Sequence, residues 1–140
     1  MRKRFCVIIS SLFITSVPTL ALADIAAVNN TDAYATAYFT SPAKKSPCSS
    51  QAPFGQGVIK PHSTTNISRL VIWTYCMSGC SAHIFMTRDC SGPEVTLVDV
   101  DKDKGVTHIT NYGVNGYTLE GAGLSVTLNQ RLKKWYHFFF

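Results

Sequence analysis

The chain has 140 residues, 46% of them hydrophobic and 15% charged, with a formal net charge of +5; this is the size of one domain, with enough apolar surface for one modest core and no room for a second. Residues 1–23 hold three of the 13 Lys and Arg and none of the eight Asp and Glu, and Arg131, Lys133 and Lys134 hold three more. The body between them is close to neutral and carries no basic stripe with interleaved aromatics, which excludes a nucleic-acid partner.

Met1-Arg2-Lys3-Arg4 is a basic start, Phe5 to Leu20 an apolar run broken at Pro18, and Ala21-Leu22-Ala23 a small-x-small end. That order predicts a secretory signal cleaved before Asp24, so residues 1–23 are leader and 24–130 a single mature domain. The run contains Ser and Pro and has no basic stop-transfer flank, against a spanning anchor. Asp24 instead of Cys at the first mature position argues against a lipid anchor. The expected location is secreted or periplasmic.

Tyr34, Thr36 and Tyr38 alternate with Ala35, Ala37 and Phe39, the period-2 pattern of a strand. Ser41 to Pro47 stops it with two prolines, Cys48 to Gly57 is loop-rich, and Val58-Ile59 forms a short segment ending at Pro61. Phe54, His62 and the Thr64-Thr65-Asn66 cluster then fall in loops at one end of the fold, where a rigid scaffold commonly presents a binding site. Arg69-Leu70-Val71-Ile72-Trp73-Thr74-Tyr75 is β-branched and aromatic and too short for an ordinary helix, so it reads as a central strand. Its pleat sets Leu70, Ile72 and Thr74 on one face and Val71, Trp73 and Tyr75 on the other. Ala82 to Thr87 returns after a Ser-Gly turn and completes an antiparallel hairpin.

Cys6 leaves with the leader, and Cys48, Cys76, Cys80 and Cys90 remain, an even number in a small exported domain. Two disulfides follow. A Cys80–Cys90 bond would join the two ends of an extended strand, about 30 Å apart at ~3.3 Å per residue, and needs a sharp bend. The favoured pairing is therefore Cys76–Cys80 across the turn with Cys48–Cys90 joining distant segments; Cys48–Cys76 with Cys80–Cys90 is the rival.

Phe85-Met86-Thr87-Arg88-Asp89-Cys90-Ser91-Gly92 resembles the aromatic-x4-aromatic-or-Cys-x-Gly turn of βγ-crystallin-like Greek-key domains. The resemblance implies a β fold with a glycine in a backbone conformation closed to other residues. The secreted microbial relatives of that family include enzyme inhibitors and killer toxins. The motif occurs once, where the family repeats it, and the family's calcium signature does not accompany it.

Asp99, Asp101 and Asp103 stand at alternate positions in Asp99-Val100-Asp101-Lys102-Asp103-Lys104-Gly105. Three carboxylates on one side of an extended chain offer hard oxygen ligands to calcium. Gly105 comes one residue late for an EF-hand loop, Thr110 replaces its final Glu, and Lys102 and Lys104 oppose a cation, so a solvated charged turn is the alternative. Calcium apart, no cofactor is expected.

Val95 to Val100, Val106 to Thr110, Tyr117 to Glu120 and Leu124 to Leu128 complete the strands, and Leu124, Val126 and Leu128 are expected in the core. No 10–15-residue stretch after residue 24 carries helical periodicity. The fold class is all-β, a small antiparallel sandwich or Greek-key barrel of seven or eight strands.

Catalytic constellations are scarce. His62, His83, His108 and His137 are scattered, no Gly-x-Ser-x-Gly elbow or His-Glu-x-x-His helix occurs, and His62-Ser63 are neighbours whose side chains point apart when extended. Residues 131–140 differ from the rest, with basic residues followed by Trp135, Tyr136, Phe138, Phe139 and Phe140. Exposed, this tail would meet a membrane interface or an apolar groove on a partner; packed, it would be a last strand. Together the residues point to an exported, disulfide-stabilised binding module for a protein or glycan, acting through its end loops. A secreted inhibitor or toxin and a small exported hydrolase are the alternatives.

Overall fold

A computed structural model describes residues 24–52 and 57–131. The expected leader, Phe54 and the aromatic tail lie outside these residues. Among the described residues eight strands form: β1 (Ile25–Asn29), β2 (Thr36–Thr40), β3 (Ser63–Ile67), β4 (Cys80–Phe85), β5 (Glu94–Asp101), β6 (Gly105–Asn111), β7 (Tyr117–Ala122) and β8 (Ser125–Gln130), with one α-helix, α1 (Arg69–Tyr75), between β3 and β4. They pair as two four-stranded sheets, ordered β3-β1-β8-β7 and β2-β4-β5-β6. The all-β sandwich expected from the turn spacing is the fold. Neighbouring strands run antiparallel except β1 and β8, which pair in parallel.

Period-2 alternation builds the core between the sheets. Ile25, Ala27, Leu119, Val126 and Leu128 from one sheet meet Ala82, Val98, Val100 and Val106 from the other. At the β6–β7 side the sheets are stitched together. The Asn111 side chain donates to the Leu119 carbonyl at 3.1 Å and accepts the Leu119 N–H at 2.8 Å, and Val106 and Gly123 exchange two backbone hydrogen bonds of 2.8 Å. At the opposite side, Ala35, just before β2, and Ile59, before β3, exchange two backbone hydrogen bonds of 2.9 Å.

The disulfides are Cys48–Cys90, with Cα atoms 6.0 Å apart, and Cys76–Cys80, at 4.7 Å, the favoured pairing. The second joins the end of α1 to the start of β4 instead of closing a hairpin.

Three expectations need correction, and one strand was not foreseen. Arg69–Tyr75 is a helix, not a central strand, so its supposed hairpin with 82–87 does not exist and β4 pairs with β2 and β5. The helix starts because the Ser68 side chain accepts the Leu70 N–H at 3.2 Å, and it persists because Ile72 and Cys76, four apart, both bury against the core. Thr64-Thr65-Asn66 belongs to β3 and not to a loop, since β1 supplies a pairing edge. Leu124 precedes β8 in a turn and is 38% exposed. Lastly, β1 itself carried no signal strong enough to be read as a strand beside the leader.

Candidate functional site

Helix α1 turns one face inward and leaves the other uncovered. Ile72 is 2% exposed, whereas Leu70 is 74%, Trp73 38% and Met77 58% exposed. Leu70 and Trp73, at i and i+3, share the outward face of α1 as an apolar ridge, and Met77 is exposed in the turn just past the helix end. Charge borders it: Lys102 stands 5.9 Å from the Trp73 ring centre, and Arg69 and Asp103 form an ion pair of 3.6 Å. The ridge is anchored at both ends. The Arg69 N–H donates to Asp24 at 3.1 Å, and the Cys76–Cys80 bond fixes the exit. A rimmed apolar row on a small exported domain has the composition of an interaction surface.

Behind α1, its inner residues Ile72 and Tyr75 form part of the wall of a cavity of about 520 Å³ between the sheets. Small residues make this space. Ala27 from one sheet, Ala37 and Ala82 from the other, and Ala35 just before β2 all face it. Dry and empty, such a volume would cost on the order of 10 kcal/mol at ~24 cal/mol per Å³, comparable with the whole net stability of a domain. Three hydroxyls on the wall are already bonded: Thr36 donates to the Thr87 carbonyl at 2.9 Å, Ser46 accepts the Phe39 N–H at 2.7 Å, and Ser49 accepts the Ala37 N–H at 3.0 Å.

The residues singled out from the sequence do not converge. His62, with φ of 51°, bonds Asp32 at 2.5 Å on the exposed surface, while the Ser63 hydroxyl donates to the Lys60 carbonyl at 2.7 Å; the two form no nucleophile–base pair. Thr64 and Asn66 are exposed along β3, and Thr65 lines the cavity. The three carboxylates of the β5–β6 hairpin have separate engagements. Asp99 accepts from Ser81 at 3.0 Å, Asp101 accepts the N–H groups of Asp103 and Lys104 at 2.8 Å, and Asp103 pairs with Arg69. Among the described residues no three His, Cys, Asp or Glu side chains are grouped to hold a metal.

One cluster had no counterpart in the sequence reading. On the outer face of β2-β4-β5-β6, His83 bonds Glu94 through Nδ1 and Thr40 through Nε2, the latter at 2.8 Å. Its ring stacks on Tyr38 with centres 4.6 Å apart, and Phe85 stacks on the same tyrosine. Loss of hydration first, then the charge and hydrogen bond of Glu94, push the Tyr112 phenol up. Both nitrogens of His83 are occupied, so the cluster braces the sheet and leaves no free imidazole nitrogen for a ligand. Cross-strand register alone brings these residues together: Tyr38 opposes His83, and Phe85 opposes Glu94.

A family model described as NttC, a type II secretion system (T2SS) substrate, matches residues 1–130; the match ends with β8. A comparison with curated proteins finds no match. Among solved structures, the crystal structure of the Legionella pneumophila type II secretion system substrate NttC is similar to this chain, with a TM-score of 0.55 and 20% identity, over 78% of this chain and 98% of that one. At that identity the likeness carries the fold. No crystallin-like relationship is shown, and the turn from Phe85 to Gly92 simply connects β4 to β5 within one sheet. The match across residues 1–130 places the chain in the NttC family, and it is an exported protein.

Proposed function

We propose that this chain, like NttC, is a type II secretion substrate, and that outside the cell it is a binding module that docks on a protein partner through the outer ridge of α1. The observation that carries the reading is that Leu70 and Trp73 on α1, and Met77 in the turn after it, are apolar and exposed beside a helix end that is itself pinned. Trp is among the residues that dominate the energy of protein interfaces, and Met is enriched in them. A glycan would call for polar groups, which the ridge lacks. The test uses the mature protein and a variant with Leu70→Ser, Trp73→Ser and Met77→Ser as paired baits. The reading requires a component that binds the unaltered protein in fixed stoichiometry after purification and binds the variant at least about tenfold more weakly. Equal binding to both, or none to either, removes it.

A second reading places a glycan on β3, because His62, Thr64 and Asn66 are all exposed at alternate positions. A variant with all three replaced by Ala should then lose binding on a glycan array while the ridge variant keeps it.

A further inference from the structure

The cavity between the sheets is separate from the ridge, and its chemistry is different. We infer that it is a binding site for one linear fatty-acyl chain. The wall runs across the full width of a sheet, from Ala37 on β2 through Ala82 on β4 and Val98 on β5 to Val106 on β6. Four strands at ~4.8 Å spacing span about 14 Å, and facing sheets stand about 10 Å apart. A lining that reaches across all four strands gives room for an extended chain.

Polarity sets the ligand class. Thr36, Ser46 and Ser49 spend their hydroxyls on backbone partners, and the buried polar side-chain atoms left without a partner among the described residues, Arg69 Nε and Thr118 Oγ1, lie outside the wall. The wall is thus mostly apolar, and the side chains of Thr65, Gln51 and Asn66 in its lining make no hydrogen bond among the described residues. A sugar or nucleotide would bury its own polar groups unpaired there, at a cost it could not recover. An alkyl chain loses nothing by entering and removes apolar wall from water. Exposed Gln51, Asn66 and Ser68 mark one end of the lining. A carboxylate or ester head group would remain there, hydrated, while the chain lies inside.

The experiment adds palmitic acid, and separately a lysophospholipid carrying the same chain, to the mature, delipidated protein and measures binding by calorimetry together with the melting temperature. One chain per protein and a melting temperature that rises with ligand concentration are expected. Uptake of the free acid but not of the lysophospholipid identifies a fatty-acid site; uptake of both identifies a site for the chain whatever its head group. Ala37→Leu and Ala82→Leu, which displace at least two methylenes of ligand, should together weaken binding about tenfold. The ridge variant should bind the acid unchanged, so failure of the protein-docking reading and failure of this one are distinguishable. No uptake and no change in melting temperature overturn the inference, as does binding that the two leucines leave untouched. Should the leucine variants not fold, the melting response of the unaltered protein decides.

Discussion

At Gly105 the backbone has φ of +77°, and a Cβ there would lie 2.2 Å from the carbonyl oxygen of Gly123. That approach is what lets Val106 and Gly123 exchange their hydrogen bonds and close the β6–β7 side. Gly113 has a similar φ of +71° and nothing within 4 Å. Gly113→Ala should therefore cost only left-handed strain, about 1 kcal/mol, whereas Gly105→Ala should cost on the order of 3 kcal/mol because backbone must move; urea denaturation of the two variants tests the difference. Nearby, N–H groups of Lys104 and Asp103, in that order, hold the Asp101 carboxyl below its ordinary value, helped by the charges of Lys104 and Lys102 and opposed by slight burial. A lowered folded pKa means the turn is favoured above the unfolded carboxylate's pKa and loses that support as pH falls through the folded one. Carboxyl-carbon NMR should show Asp101 titrating below the same residue in a peptide of residues 99–105. Residue types at this scale were partly legible: cysteine spacing led to the right bonds, and the charged turn was correctly placed between two strands. Asn111 was not, because its role depends on Leu119 arriving from another sheet.

The misread element is α1, and its physics explains why. Arg69 to Tyr75 contains Val, Ile, Trp, Thr and Tyr, whose intrinsic preference is for strands, but a strand needs a neighbour and this segment has none in either sheet. The cap at Ser68 and the buried pair Ile72 and Cys76 decide the outcome instead. Both signals were present in the sequence, as Ser before the run and apolar residues four apart, and were outweighed by composition. Strands β1 and β3 were missed for a related reason, since Ala-rich and Thr-rich segments acquire strand character only by pairing with each other and with β8. Ser68→Ala should cost about 1 kcal/mol and Ile72→Ala about 2–4 kcal/mol. Serine at Leu70 and Met77 should change stability by no more than about 0.5 kcal/mol. Thermal denaturation of these variants would separate a helix held by its inner face from one held by its ridge.

For the whole molecule, the two disulfides should contribute unequally. Cys48 and Cys90 are separated by 42 residues and Cys76 and Cys80 by four. By loop-closure entropy, the first bond restricts the unfolded chain by about 4 kcal/mol and the second by about 2 kcal/mol. Guanidinium unfolding of the Cys48→Ser/Cys90→Ser and Cys76→Ser/Cys80→Ser proteins should rank them in that order, unless burial of Cys76 adds to the smaller term. The sandwich architecture was legible from turn spacing and alternation. Its strand order was not, because pairing between β1 and β8 joins segments that share no local signal. That pairing also bears on synthesis. Translation produces β1 first and β8 last, so β1 passes most of its time on the ribosome with one flank unclaimed. A product released before Ser125 would present the open N–H and C=O groups of β1 to other chains, a template for aggregation.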